Sequence, residues 1–202
     1  MSQATSYRHR VLNLVRKRGI LRARELDAEG IPREYLRRLK TEGLLDQPGR
    51  GLYVLADHSA TENYSLAEIA KRVPNAVVCL LSALRFHDLT TQAPFEIWIA
   101  IAEKARLPKI DTSPVRVMRF SKRALEYGVK EHKVDGVLVK VFSPAKTVAD
   151  CFKYRNKIGL DVALEALRDV RRQRKATVDQ IWEAAQVCRV TNVIRPYLEA
   201  IA

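Results

Sequence analysis

The 202-residue chain contains few cysteines and histidines, which limits the kinds of site it can build. Cys79, Cys151 and Cys188 are odd in number, far apart and set in apolar helical surroundings. This pattern predicts neither a disulfide framework nor a zinc knuckle. The histidines show no metal-ligand spacing; they are His9, His58, His87 and His132. We therefore expect buried free thiols, no metal site and no cofactor.

Long apolar runs are also missing. No stretch approaches the ~20 apolar residues that a membrane-spanning helix needs. The first ten residues, MSQATSYRHR, lack the apolar core of a signal peptide. Free thiols suit a reducing compartment, so we expect a soluble cytoplasmic protein.

Motifs that would identify catalytic residues are absent: the sequence has no GxSxG elbow, HExxH, P-loop or GxGxxG. Ser82, His87, Asp88 and Asp150 have suitable chemistry, but no motif connects them. His87, on a mostly apolar helix, is more often a hydrogen-bonded helix end than a base. Lys146 and Asp150 have the i, i+4 spacing of a helix-surface pair. We expect a protein that is not an enzyme.

One catalytic alternative stays open. A metal-dependent nuclease could gather Glu96, Asp111 and Lys140 on a sheet, because such sites draw residues from distant strands. No spacing in the sequence requires this arrangement.

Basic residues outnumber acidic ones throughout the chain. There are 36 Lys and Arg residues against 23 Asp and Glu, which gives a net charge of +13 and a pI near 9.9. Residues 1–60 carry 12 basic and 7 acidic residues, a net charge of +5, and the remainder carries +8. Such an excess favours a polyanionic partner, above all nucleic acid, although it can also serve solubility alone.

The first sixty residues have the pattern of three short helices and a hairpin. Apolar spacing predicts a helix over residues 7–18 that Gly19 ends, and a shorter helix over residues 22–29. Gly30 and Pro32 then break the chain before a third helix over residues 33–42. The turn-rich segment DQPGRG separates Leu44-Leu45 from a strand at residues 52–55. This order predicts a winged helix-turn-helix with Arg50 near the tip of its wing.

The residue pattern of the third helix predicts the binding surface. Tyr35, Leu36 and Leu39 are expected to face inward, which leaves a cationic outer face. In winged helices such a helix enters the major groove and the wing contacts the backbone or the minor groove. We expect double-stranded DNA to be contacted by Arg33, Arg37, Arg38, Lys40 and Arg50. The alternative is a protein-docking winged helix with solvated arginines.

The rest of the chain predicts a mixed α/β unit. A polar linker at residues 56–64 separates it from the winged helix, so we divide the chain into domains 1–60 and 61–202. A small sheet is predicted from strands at residues 95–101, 115–120 and 137–142. Helices are predicted at residues 77–87 and 122–127, after Ser143-Pro144, from Gly159, from Thr177, and near the end along Ile194, Tyr197, Leu198 and Ile201. The fold class is therefore α+β.

A basic run follows the helix that begins near Gly159, and it comprises Arg168, Arg171, Arg172, Arg174 and Lys175. Cations at a helix end complement the helix dipole and are commonly just solvated. The same run could be a second nucleic-acid surface or a dock for an acidic protein.

Several phrases of the sequence resemble the AbiEi family of antitoxins from type IV toxin-antitoxin systems. They are GRGLYVL at residues 49–55, LLSALRFHDL at 80–89, VFSPAKTVADCFKY at 141–154, GLDVALEAL at 159–167 and RPYLEAI at 195–201. The likeness extends over nearly the whole chain. It implies a winged helix that binds operator repeats and represses its own operon, and a C-terminal antitoxin domain that neutralises a nucleotidyltransferase-like toxin.

On this chain the resemblance places DNA reading at the arginine-rich third helix and the wing. It suggests the basic run from Arg168 to Lys175 as an antitoxin or nucleic-acid surface. The alternative within the same class is a stand-alone winged-helix repressor, and a toxin-like reading frame directly downstream would favour the antitoxin. One winged helix per chain fits either a monomer on tandem repeats or a dimer on a palindrome.

Overall fold

A computed structural model describes residues 3–108, 110 and 113–200. These residues form two compact units. The first runs to Pro74 and includes Lys133–Leu138, while the second holds Asn75–His132 and continues from Val139. The domain division near residue 60 falls inside the first unit and stays a prediction. Asp111 and Ile201, both singled out in the sequence, lie outside the described residues.

The first unit is a winged helix followed by one further helix. Its elements are α1 (Gln3–Arg18), β1 (Leu21–Arg22), α2 (Glu25–Ala28), α3 (Glu34–Thr41), β2 (Leu45–Gly49), β3 (Leu52–Leu55) and α4 (Tyr64–Arg72). The strands form an antiparallel sheet in the order β1-β3-β2. The hairpin of β2 and β3 is the predicted wing.

Gly19 ends α1, as the sequence predicts. Its φ is +67°, a left-handed conformation that glycine adopts without steric cost. A Cβ at this position would lie 1.6 Å from the carbonyl oxygen of Asp135, so the close approach of two backbone segments also requires glycine. The core that α1 helps to enclose consists of Val11, Val15, Leu21, Leu26, Ile31, Tyr35, Leu36, Leu39 and Leu45.

The helix predicted over residues 22–29 is wrong at its start. Leu21 and Arg22 instead form strand β1, which pairs with Tyr53 and Leu52 of the wing, and α2 covers only Glu25–Ala28. This pairing joins segments about thirty residues apart, so local periodicity does not reveal it.

The second unit combines a mixed sheet with helices. Its elements are β4 (Val77–Val78), α5 (Leu80–Phe86), β5 (Ile97–Ala102), β6 (Val115–Phe120), α6 (Lys122–Glu126), β7 (Val129–Val134), β8 (Val137–Phe142), α7 (Pro144–Lys153), α8 (Arg155–Ile158), α9 (Leu160–Arg172), α10 (Val178–Cys188) and α11 (Thr191–Glu199). The end of β7 and the start of β8, within Lys133–Leu138, are counted with the first unit. The strand order is β6-β5-β4-β8-β7. Strands β5 and β6 are parallel, as are β4 and β8, whereas β4 and β5 are antiparallel. The α+β class is confirmed.

Two strands of this sheet depart from the sequence-based prediction. Val77 and Val78 were assigned to the start of a helix but form β4, because a short apolar run fits a buried strand as well as a buried helix. Strand β7 was not predicted at all. Its signal is the Asp135-Gly136 turn, where both residues have positive φ, as a tight hairpin requires.

Helix α7 lies in the middle of the second core, where it packs against α5, α9 and α10. Every residue from Ala145 to Phe152 is buried. The predicted surface pair of Lys146 and Asp150 is therefore wrong, because both side chains are 0% exposed and joined by an ion pair of 2.5 Å. An i, i+4 spacing predicts that the two side chains pair, but it does not distinguish an exposed helix from one that is enclosed on all sides.

Predicted helix starts and free thiols agree with the structure. The Ser143 side chain accepts a hydrogen bond from the Lys146 amide, and Thr177 forms a capping box with Gln180. The three cysteines are free and buried. Burial raises the pKa of each thiol, that of Cys188 to about 12, which makes them poor nucleophiles.

Candidate nucleic-acid interface

Helix α3 presents a cationic face to solvent. The predicted inward residues Tyr35, Leu36 and Leu39 are buried against α1 and the sheet. The cations on the other side are exposed, and they are Arg33, Arg37, Arg38 and Lys40. The 3.6-residue period of the helix thus separates the core from the charge.

The four cations differ in their partners. The Arg33 guanidinium forms a two-point contact with the Asp27 carboxylate, which raises the pKa of Arg33 and lowers that of Asp27. Lys40 Nζ donates to Gln47 Oε1 on β2 at 3.0 Å. The guanidinium of Arg38 lies 5.2 Å from the centre of the Tyr35 ring. Within the described residues, the Arg37 side chain has no such partner.

The wing ends in a turn that carries Arg50. Strand β2 has a bulge between Asp46 and Gly49, and Arg50-Gly51 connect it to β3. Gly51 has a φ of +72°, and nothing lies within 4 Å of the place where its Cβ would be. Arg50 is exposed at this turn, as predicted, and forms no ion pair within the described part of the chain.

Beside the turn is a cleft of about 200 Å³. We call it the arginine cleft, because its walls include Arg22, Arg24, Arg33, Arg50 and Arg72. No carboxylate is among its lining residues. The Arg22 guanidinium donates to the carbonyl oxygen of Lys71 at 2.8 Å, which fixes it beside the end of α4.

The cleft concentrates positive charge. Burial is the largest cause that lowers the pKa of Arg22, and the neighbouring charges of Arg24 and Arg72 lower it further. Glu25 acts in the opposite direction. Such a group of like charges favours occupation by an anion, which offsets their repulsion.

Three of these arginines were not among the predicted site residues. Arg22 and Arg24 were assigned to a helix, and Arg72 was placed beyond the domain boundary. Strand β1 brings Arg22 and Arg24 to the wing, because Arg22 pairs with Leu52 and the Ala23 amide donates to the Gly51 carbonyl oxygen at 3.0 Å. The sequence signal for strand β1 is the alternation of apolar and basic residues in Leu21-Arg22-Ala23-Arg24, which follows the apolar Ile20.

The basic run of the second unit lies at the end of α9 and in the turn after it. Arg168, Arg172, Arg174 and Lys175 are exposed, whereas Arg171 is half-buried. Arg172 pairs with Asp169 at 2.8 Å, and the Lys175 amine donates to the carbonyl oxygen of His87. Arg168 and Arg174 make no ion pair within the described residues. The run therefore offers a cationic surface that is only partly neutralised.

Three of the residues considered for catalysis, His87, Ser82 and Glu96, make structural contacts with other groups in the described part of the chain. His87 is a hydrogen-bonded helix end, with Nε2 2.7 Å from the carbonyl oxygen of Phe142. Burial is the main cause that lowers its pKa. Ser82 Oγ accepts from the Trp98 amide, and Glu96 pairs with Arg116 at 2.6 Å. No cluster of three His, Cys, Asp or Glu residues suited to a metal occurs among the described residues.

Among the described residues, no helix is both long enough and apolar enough to cross a membrane.

The winged helix matches a known family. Residues 9–56 match the family model described as transcriptional regulator, AbiEi antitoxin. The N-terminal segment of the chain is therefore similar to an AbiEi antitoxin domain. This segment spans most of α1 and continues through β3, so the AbiEi resemblance seen in the sequence is confirmed there. Helix α4 and the second unit lie outside the matched residues.

Comparison with solved structures supports the fold over a longer span. The chain is similar to the crystal structure of the RV2827C protein from Mycobacterium tuberculosis, with a TM-score of 0.53 and 14% sequence identity. The match covers 96% of this chain and 81% of that one. No curated protein matches the sequence. The similarity to AbiEi antitoxins is thus found in the sequence of residues 9–56, while the likeness over the rest of the chain is one of fold.

Proposed function

We propose that the protein is a DNA-binding antitoxin that represses its own toxin-antitoxin operon. The AbiEi domain binds operator repeats in duplex DNA, and the C-terminal unit neutralises a nucleotidyltransferase-like toxin. The observation that carries the proposal is the exposed cationic face of α3 beside the wing turn, within the segment that matches a transcriptional-regulator family. Neither role requires catalysis or a cofactor.

The cationic side chains of α3, of the residue before it and of the wing are suited to different DNA contacts. Arg37 is exposed and unpaired in the described part of the chain, so its planar guanidinium is available to fork onto the O6 and N7 atoms of a guanine. Lys40 and Arg50 suit phosphate contacts, which position the protein without reading sequence. Arg33 has to exchange Asp27 for DNA, and because that ion pair is exposed, water already competes for it.

The proposal for α3 is tested with Arg37→Ala in the full-length chain. We expect a loss of ~1 to 3 kcal/mol in binding to the operator and relaxed preference at one base position, because a base-edge contact is removed. Binding to all single-base variants of the operator, compared between wild type and mutant, measures both effects.

Arg16→Ala is the matched control, because Arg16 is an exposed arginine on α1 of the same unit. It should keep the base preference at every position. An Arg37→Ala protein with unchanged preference at all positions would contradict the assignment of Arg37 to base reading.

Support for the antitoxin role comes from two sources. The matched family description names antitoxins, and the end of α9 carries the exposed cations Arg168 and Arg174. A cationic surface steers an acidic face of a partner into contact. We take this surface as the toxin-binding region.

A further inference from the structure

The arginine cleft is held together by three separate parts of the first unit. Strand β1 is fixed to the wing by its pairing with β3 and by the hydrogen bond from Ala23 to Gly51. It is fixed to α4 by the Arg22 contact with the Lys71 carbonyl and by the ion pair between Lys71 and Glu25 at 3.0 Å. Arg22, Arg24, Arg50 and Arg72 therefore face one cleft although they are distant in sequence.

The carboxylates near the cleft are already occupied. Asp27 binds Arg33, and Glu68 binds Arg72 at 3.1 Å. Glu25 accepts from Lys71 and from the Arg22 backbone amide. Arg24 and Arg50 have no ion-pair partner among the described residues. Uncompensated guanidinium groups thus remain on a concave surface, where they suit an anion with several oxygen atoms.

We propose that the arginine cleft binds one backbone phosphate of duplex DNA next to the segment read by α3. This inference rests on the proposed function in taking the phosphate from DNA. Arg50 of the wing and Arg33 next to α3 both line the cleft, so a DNA strand in contact with the wing and with α3 passes over it. The bare backbone at Gly51 leaves room for the approach of that strand.

The position of Arg72 extends the proposed DNA-binding surface beyond the matched segment. The matched AbiEi segment ends at residue 56, whereas Arg72 lies at the end of α4. If the cleft holds a phosphate, α4 belongs to the DNA-binding unit and supplies part of the surface that positions it. This extends the interface beyond the winged helix itself.

The test uses Arg24→Gln in the full-length chain, because the Arg24 side chain is exposed and forms no ion pair with the described residues. Binding to the upstream DNA and to an unrelated duplex of equal length is measured across a range of salt concentrations. Loss of one phosphate contact should reduce the slope of log K against log salt by about 0.9 on both duplexes. The matched control Arg16→Gln should keep the wild-type slope.

The outcomes separate this inference from the proposed function. If Arg24→Gln keeps the wild-type slope while the upstream duplex is still preferred, the cleft proposal is overturned and the operator function stands. If the slope falls but wild type binds both duplexes alike, the cleft is a phosphate site and the operator function fails.

A second arm tests the other source of the same chemistry. Inorganic phosphate is titrated into wild type and Arg24→Gln by calorimetry. Binding by wild type alone, together with equal DNA salt slopes for the two proteins, would assign the cleft to a free anion and overturn the proposal. Lack of phosphate binding with a reduced DNA slope supports it.

Discussion

Lys146 and Asp150 show how much a single pair of residues can depend on its surroundings. Asp150 Oδ2 contacts Lys146 Nζ, and Oδ1 accepts a hydrogen bond from Cys188 Sγ at 3.2 Å. The Lys146 amine also lies 4.2 Å from the centre of the Phe142 ring. Burial raises the pKa of Asp150, and Lys146 opposes that rise. The pair is thus one buried polar network that requires both partners.

Removal of one partner is expected to destabilise the protein strongly. Lys146→Met leaves the Asp150 carboxylate buried without its counter-charge, and breaking such a pair typically costs about 3 to 5 kcal/mol. Urea unfolding of the full-length chain, followed by circular dichroism, measures the loss. The expected effect is a lower midpoint with little change in slope.

Arg172→Gln is the control, because Arg172 belongs to an ion pair of the same unit but is 74% exposed. Its cost should stay within about 0.5 kcal/mol. In a double-mutant cycle, Lys146→Met with Asp150→Ala should cost less than the two single changes together. Strict additivity would contradict the view that the two residues act as one pair.

At the scale of single residues, the sequence predicts which side chains are exposed better than it predicts which residues they contact. The inward positions Tyr35, Leu36 and Leu39 follow from helical spacing, and the outward position of Arg37 follows with them. The contact between Arg33 and Asp27 depends on where α2 lies, because Asp27 belongs to α2. The spacing of residues within α3 gives no information about that position.

At the scale of elements, short strands are the features that the sequence hides. Strand β1 has two residues and exists because β3 is available to pair with it. Strand β7 has four consecutive polar residues, Lys130–Lys133, at the sheet edge, where side chains need not be apolar. By contrast, α7 and α10 have local start signals in Ser143 and Thr177, and both were predicted.

The missed strand β1 contributes Arg22 to the arginine cleft, which we propose as a phosphate site. A helix over residues 22–29 does not pair Arg22 with Leu52, whereas the strand brings it and Arg24 to the wing. The α3 face is therefore predictable from local periodicity, and the cleft beside it depends on a non-local pairing.

The end of α9 permits an element-scale test of the antitoxin role. Charge reversal at Arg168→Glu with Arg174→Glu should weaken protection when the protein is co-expressed with the toxin that we propose it neutralises, because complementary charge steers association. Growth of the co-expressing cells measures protection, and operator binding should remain as in wild type.

Arg123→Glu is the matched control, since Arg123 is an exposed arginine of α6 in the same unit. It should leave protection unchanged. Full protection by the double charge-reversal variant would show that the basic end of α9 is not the toxin-binding surface.

At the scale of the whole molecule, positive charge is spread over both units and does not by itself identify a function. The net charge of +13 attracts any polyanion, and non-specific binding of this kind disappears as salt rises. Specific recognition adds contacts to base edges, so it leaves a difference between sequences at the same salt concentration. The distinction between charge and recognition is the central question for this protein.

Competition between two duplexes answers it most directly. The wild-type protein is titrated with its own upstream DNA and with an unrelated duplex of equal length, at two salt concentrations. The account predicts that the upstream DNA is bound ~10³-fold or more tightly and that this ratio persists at the higher salt. Equal affinities that both vanish with salt would contradict it, because the arginines of α3 and the wing would then be only an electrostatic surface.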